Sequence, residues 1–92
     1  MTKRLNSKQL IRKGMQQRAR LHIGRNGVTR RIARLFAEAW LGTCLSPYST
    51  DILRVKIQPS YTGSPEDIVQ ALKRPGIGYA GQFRNNLIFF LF

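Results

Sequence analysis

Leu21–Trp40 reads LHIGRNGVTRRIARLFAEAW, and the reading of the whole chain turns on it. Leu21, His22 and Ile23 make a short strand, Gly24-Arg25-Asn26-Gly27 a four-residue loop, and the residues from Val28 onward a helix. Two glycines let the backbone turn tightly, with positive φ where needed, and remove side chains that would hold a ligand away. A helix that starts directly after such a loop points its unpaired N–H groups and positive dipole end back at it. Arg25 adds a full charge, and Arg30, Arg31 and Arg34 line the helix behind. A Gly-x-x-Gly loop in this setting is a device for clamping a phosphate backbone. The spacing alone is weak evidence, because Gly78-Tyr79-Ala80-Gly81 repeats it with no helix following.

Working outward, the helix is expected over roughly Val28–Leu41, burying Val28, Ile32, Leu35, Phe36 and Ala39 at spacings of three and four. Trp40 is read as core rather than as a base-stacking platform. Gly42 ends this helix, and Thr43–Thr50, with Pro47, is a loop. Upstream, Leu5–Ile11 opens a first helix, with Asn6 or Ser7 as the cap and Leu5 as a hydrophobic staple. Leu10, Ile11 and Met15 share one face, and Gly14 between them calls for close packing against a neighbour, since a mid-helix Gly costs about 1 kcal/mol. Lys8, Arg12, Lys13, Gln16 and Gln17 read as its solvated surface.

Downstream, Asp51–Ile57 alternates, with Leu53, Val55 and Ile57 inward and Arg54 and Lys56 on a basic outer face. Pro59 stops this strand, and Ser60–Gly63 is a turn. Ser64-Pro65-Glu66-Asp67 starts a helix with a cap, a proline at the first position and acids in the first turn. Ile68, Val69 and Leu72 bury its face, and Arg74-Pro75-Gly76 ends it. Ile77–Phe83 is a strand interrupted by Gly78 and Gly81, Asn85-Asn86 a tight hairpin turn, and Leu87–Phe92 the last strand. LIFFLF is apolar on both faces, so the first helix or a partner must cover it. The expected fold is α+β: a mixed four-stranded sheet with about three helices, in the order αβαβαββ.

Charge narrows the function. There are 16 Lys and Arg against 4 Asp and Glu, a net charge of +12 in 92 residues, and no acid precedes Glu38. Such an imbalance destabilises a compact domain by self-repulsion, so a polyanionic partner is its natural explanation. Five of the cations lie in Arg20–Arg34, which is more than solvation requires. One cysteine, Cys44, and one histidine, His22, build neither a disulfide framework nor a zinc cluster, and no cofactor is implied. No apolar run reaches the roughly eighteen residues of a membrane span. The basic N-terminus is composed like a transit peptide, but its apolar spacing fits a helix of a single 92-residue domain.

With these pieces in order, the chain resembles the CRM domain (chloroplast RNA splicing and ribosome maturation). Leu5–Gly14 is similar to that family's opening helix, Ile23–Thr29 to its signature loop, Leu53–Ile57 to its basic strand, and Gly76–Phe92 to its closing hairpin. The resemblance implies a compact mixed sheet that binds structured RNA. Single-domain members are associated with precursors of the large ribosomal subunit, and multi-domain plant members with group II intron splicing. By position, the loop match falls on Gly24, Arg25, Asn26 and Gly27. Arg30 and Arg31 depart from it, standing where bacterial members often carry acidic or small residues.

The expected activity is therefore RNA binding without catalysis, on ribosomal RNA, as an assembly factor or a resident ribosomal protein. The site residues are Gly24, Arg25, Asn26, Gly27, Arg30, Arg31 and Arg34, with Arg20, Arg54 and Lys56. Partners would be ribosomal RNA and neighbouring ribosomal or assembly proteins, with no small-molecule substrate. The setting would be the ribosome of a mitochondrion or plastid, alternatively that of a bacterial cytoplasm. An intron-splicing factor is the alternative, and a basic membrane-surface protein a more distant one. Four acids, one His and one Cys do not readily supply a nucleophile, a base and an orienting group.

Overall fold

The computed structural model describes residues 5–40 and 51–91. The expected helix stop at Gly42, the loop Thr43–Thr50 with Cys44 and Pro47, and the terminal Phe92 lie outside the described residues.

Helix α1 (Ser7–Met15) is started by Asn6, whose side chain accepts the Gln9 N–H while Gln9 returns a bond to the Asn6 N–H. This reciprocal pair satisfies two otherwise orphaned groups. Strand β1 (Arg20–Ile23) follows, then helix α2 (Arg30–Ala39), strand β2 (Ile52–Ile57), helix α3 (Pro65–Leu72), and strands β3 (Ile77–Phe83) and β4 (Asn86–Leu91). The expected α+β class, element order and four-stranded mixed sheet are all present.

In the sheet the strands lie β1-β2-β4-β3. β1 runs parallel to β2, and β4 is antiparallel to both its neighbours. The apolar strand LIFFL is thus an interior strand. α2 and α3 cover one face through Phe36, Ala39, Ile68 and Leu72, packed on Leu21, Ile23, Leu53, Val55, Leu87 and Phe89. Phe36 meets Phe89 edge-on, with ring centroids 5.0 Å apart, and Trp40, partly buried, packs against this core beside Phe36. α1 covers the other face, where Leu10, Ile52 and Ile88 form a second, smaller core. A Cβ on Gly14 would come within 2.6 Å of Ile88 Cδ1 and Cγ2, so helix and strand meet backbone to side chain at that point. Both faces of β4 are therefore covered from within the chain.

Several boundaries differ from expectation. α2 begins at Arg30 rather than Val28, because Thr29 is the cap: its hydroxyl accepts the Ile32 N–H at 3.2 Å and leaves Val28 outside the helix, packed on the core. The hairpin turn is Arg84-Asn85 rather than Asn85-Asn86, since Phe83 pairs with Asn86 and the Asn86 side chain is held within the sheet by Arg54. β3 is continuous, with a register shift between Tyr79 and Gly81 in place of a break. The Arg54 face of β2 is not a basic outer surface either, because α1 lies on part of it.

Candidate nucleic-acid interface

The parallel pairing of β1 with β2 brings the loops after both strands to one end of the sheet. A bond from Gln58 N–H to the Ile23 carbonyl, 2.8 Å, ties the two exits together. After β1 comes Gly24-Arg25-Asn26-Gly27, closed by a 2.9 Å bond from the Gly27 N–H to the Gly24 carbonyl. That bond takes up neither amide of the two central residues, Arg25 and Asn26, and both of these are exposed. Gly27 has φ +66°, a left-handed conformation that needs glycine. Gly24 has no such requirement, and a Cβ there would meet only Ser60 Oγ at 3.5 Å.

The loop after β2 forms the wall beside this turn. Tyr61 sits with its ring edge 3.5 Å from where a Gly27 Cβ would be, and its hydroxyl donates to the Ser64 carbonyl at 2.7 Å. Ser60 and Tyr61 belong to the site, yet no periodicity or motif marks them. Only the strand pairing reveals their place.

Arg30 and Arg31 are exposed in the first turn of α2, and Arg34 is exposed one turn on. With Arg25 they form one basic group around the turn. No acid stands in that first turn, so these arginines face the positive end of the helix dipole, an unfavourable arrangement in the protein alone. α3 shows the ordinary solution, with Ser64 as cap, Pro65 at the first position and Glu66 and Asp67 in the first turn.

The remaining predicted residues separate from this group. Arg20 and Lys56 lie half-buried on the opposite face of the sheet. Arg54 is turned inward: Nε donates to Asn86 Oδ1 at 2.8 Å, and one terminal nitrogen donates to the Met15 and Gln17 carbonyls at 3.1 and 3.4 Å. It ties the end of α1 to the sheet, a structural role that its place on an alternating strand does not predict. Burial, and then the adjacent Arg20, hold its pKa below the ordinary arginine value.

Among the described residues no group of three or more His, Cys, Asp or Glu side chains gathers to hold a metal ion, and no helix is long and apolar enough to cross a membrane. Compared with known proteins, the chain matches no family model and no curated protein.

Proposed function

We propose that this chain is an RNA-binding module that grips the phosphate backbone at the Gly24–Gly27 turn and the adjoining start of α2. The observation that carries this reading is the uncompensated charge of Arg25, Arg30 and Arg31 at a dipole-positive helix end, beside a glycine-shaped turn. A phosphate there relieves the repulsion, and the two amides that the turn's closing bond leaves unused add donors. The net charge of +12 favours a long polyanion over a single small anion. The CRM resemblance of Ile23–Thr29 and Leu53–Ile57 narrows the RNA to that of the large ribosomal subunit. The chain would act there as an assembly factor or a resident protein, without catalysis.

Affinity for a structured RNA measured across salt concentrations tests the reading. Neutralising roughly six to eight phosphates gives a log–log slope of about −4 to −7. A salt-independent affinity, or none, would remove RNA as the explanation of the charge.

A further inference from the structure

α1 crosses the sheet along a single cross-strand row. Ile11 lies against Gly81 of β3, Gly14 meets Ile88 of β4, and the end of the helix takes the Arg54 guanidinium of β2. Gly81, Ile88 and Arg54 are register partners, and Arg20 of β1 completes the row. The next row, toward the Gly24–Gly27 end, is Phe83, Asn86, Lys56 and His22, one residue from each strand. Side chains in register share a face, and the Arg54–Asn86 bond shows that this face is the one α1 lies on. The helix stops short of the row: His22 is exposed, Lys56 half-buried and Phe83 45% exposed, with Asn86 buried between Lys56 and Phe83 at 6%. Four strands make the row roughly 14 Å wide.

Its aromatic end is built rather than incidental. Arg84 lies 5.5 Å from the centre of the Phe83 ring. It does so from a turn position with φ +54°, where hairpins ordinarily use Gly, Asn or Asp. Gln82 Nε2 donates to the Arg84 carbonyl at 2.7 Å and fixes the turn. A strained conformation held by its surroundings points to a use for the side chain it presents.

We infer that the exposed β3–β4 hairpin end of this row is a stacking platform for unpaired RNA bases, with Phe83 and Arg84 as the stacking surface and Lys56 and His22, across the buried Asn86, facing the strand beyond. The inference rests on the RNA-binding reading above and adds the kind of RNA: a single-stranded segment beside the clamped backbone. Charge decides between a base and a protein partner. Protein interfaces are depleted of charge at their centres, whereas single-strand sites set aromatic rings among cations. Phe83 has Arg84 above it, Lys56 in its row and no acid in that row. Base stacking is tolerant of sequence, so the platform selects unpaired over paired bases rather than one base over another.

The test compares the full chain with Phe83→Ala, with Arg84→Asn and with the double variant Arg25→Asp/Asn26→Asp. Each is titrated at one salt concentration with an unstructured single-stranded RNA and with a blunt RNA duplex of equal phosphate number. Phe83→Ala should weaken single-strand binding at least about fivefold and duplex binding by less than about twofold. Arg84→Asn should raise the melting temperature while weakening single-strand binding roughly two- to fivefold, a pairing that a purely structural arginine would not give. The loop variant should weaken both RNAs. If Phe83→Ala and Arg84→Asn bind both RNAs like the parent, the platform is overturned while the clamp stands. If the parent binds neither RNA, the reading beneath both fails. Loss of a sedimenting dimer in Phe83→Ala, with RNA binding intact, would assign the ring to a protein contact and overturn the platform equally.

Discussion

Arg54 donates from Nε to Oδ1 of Asn86 at 2.8 Å across the β2–β4 pair, and Asn86 is 6% exposed. The same guanidinium reaches the Met15 carbonyl at 3.1 Å, so one side chain joins both central strands to the end of α1. Arg54→Ala should lower the unfolding free energy by about 1.5–3 kcal/mol, because it removes charge-assisted bonds and leaves a buried amide oxygen unpaired. Arg54→Lys should recover little, since an ammonium lacks the planar fork that serves three acceptors. Urea denaturation checks both. RNA affinity measured well below the transition should change less than about threefold, the loss expected of one charge held inside.

Gly14 is tested against Ile88. Gly14→Ala gains about 1 kcal/mol of helix propensity but forces a methyl to within 2.6 Å of a fully buried side chain, and overpacking costs about 1–3 kcal/mol. The single variant should be net destabilised. Combined with Ile88→Val, which removes Cδ1, it should cost less than the two separate losses added together. Additive losses in a double-mutant cycle would show that α1 does not approach β4 this closely.

The two glycines of the turn should behave differently. Gly27→Ala places a Cβ at φ +66° and should cost about 1–2 kcal/mol, whereas Gly24→Ala should be within about 0.5 kcal/mol of neutral. Thermal melts of the two variants, compared with the parent, decide this.

Arg25→Asp/Asn26→Asp keeps both glycines and hence the backbone path. Acids near the start of α2 are stabilising by about 0.3–1 kcal/mol, so the fold should survive. RNA affinity should still fall at least roughly tenfold, because a lost charge-assisted contact and added repulsion together exceed about 1.4 kcal/mol. Lys73→Ala/Arg74→Ala, at the opposite end of α3, is the control and should cost much less. Equal losses in a filter-binding titration would make the charge diffuse and the loop merely a turn.

Ending the chain at Asn86 should leave it unfolded or insoluble. Leu87, Ile88 and Phe89 are 0%, 0% and 2% exposed, each contributes about 1.5–3 kcal/mol, and total stability is about 5–15 kcal/mol. Because β4 lies between β2 and β3, the truncation also leaves β3 without a ladder partner and β2 paired only with β1. Far-UV circular dichroism of the truncated chain would reveal any surviving cooperative fold.

Local chemistry by itself determined the order of elements. Asn6 and Ser64 cap helices through bonds to residues within three positions, Pro65 suits the first helical position by its fixed φ, and the alternation of Leu53, Val55 and Ile57 needs only one buried face. The Gly24–Gly27 turn and the arginines after it were legible for the same reason: the loop and the first turn of α2 are neighbours along the chain. Tertiary structure decided what depends on contacts between distant residues. Arg54 reads as an outward charge in its own strand, and only α1, arriving on that face, turns it into an anchor. Ser60, Tyr61 and Phe83 carry no local signal and join the turn's end of the sheet because β1 and β2 run parallel and the β3–β4 hairpin closes there. Gly14 announced a close approach, but its partner, Ile88, was named by packing. Sequence spacing encodes bonds and periodicities a few residues long, whereas the side of a sheet that a helix covers is set by complementary shape across the whole chain.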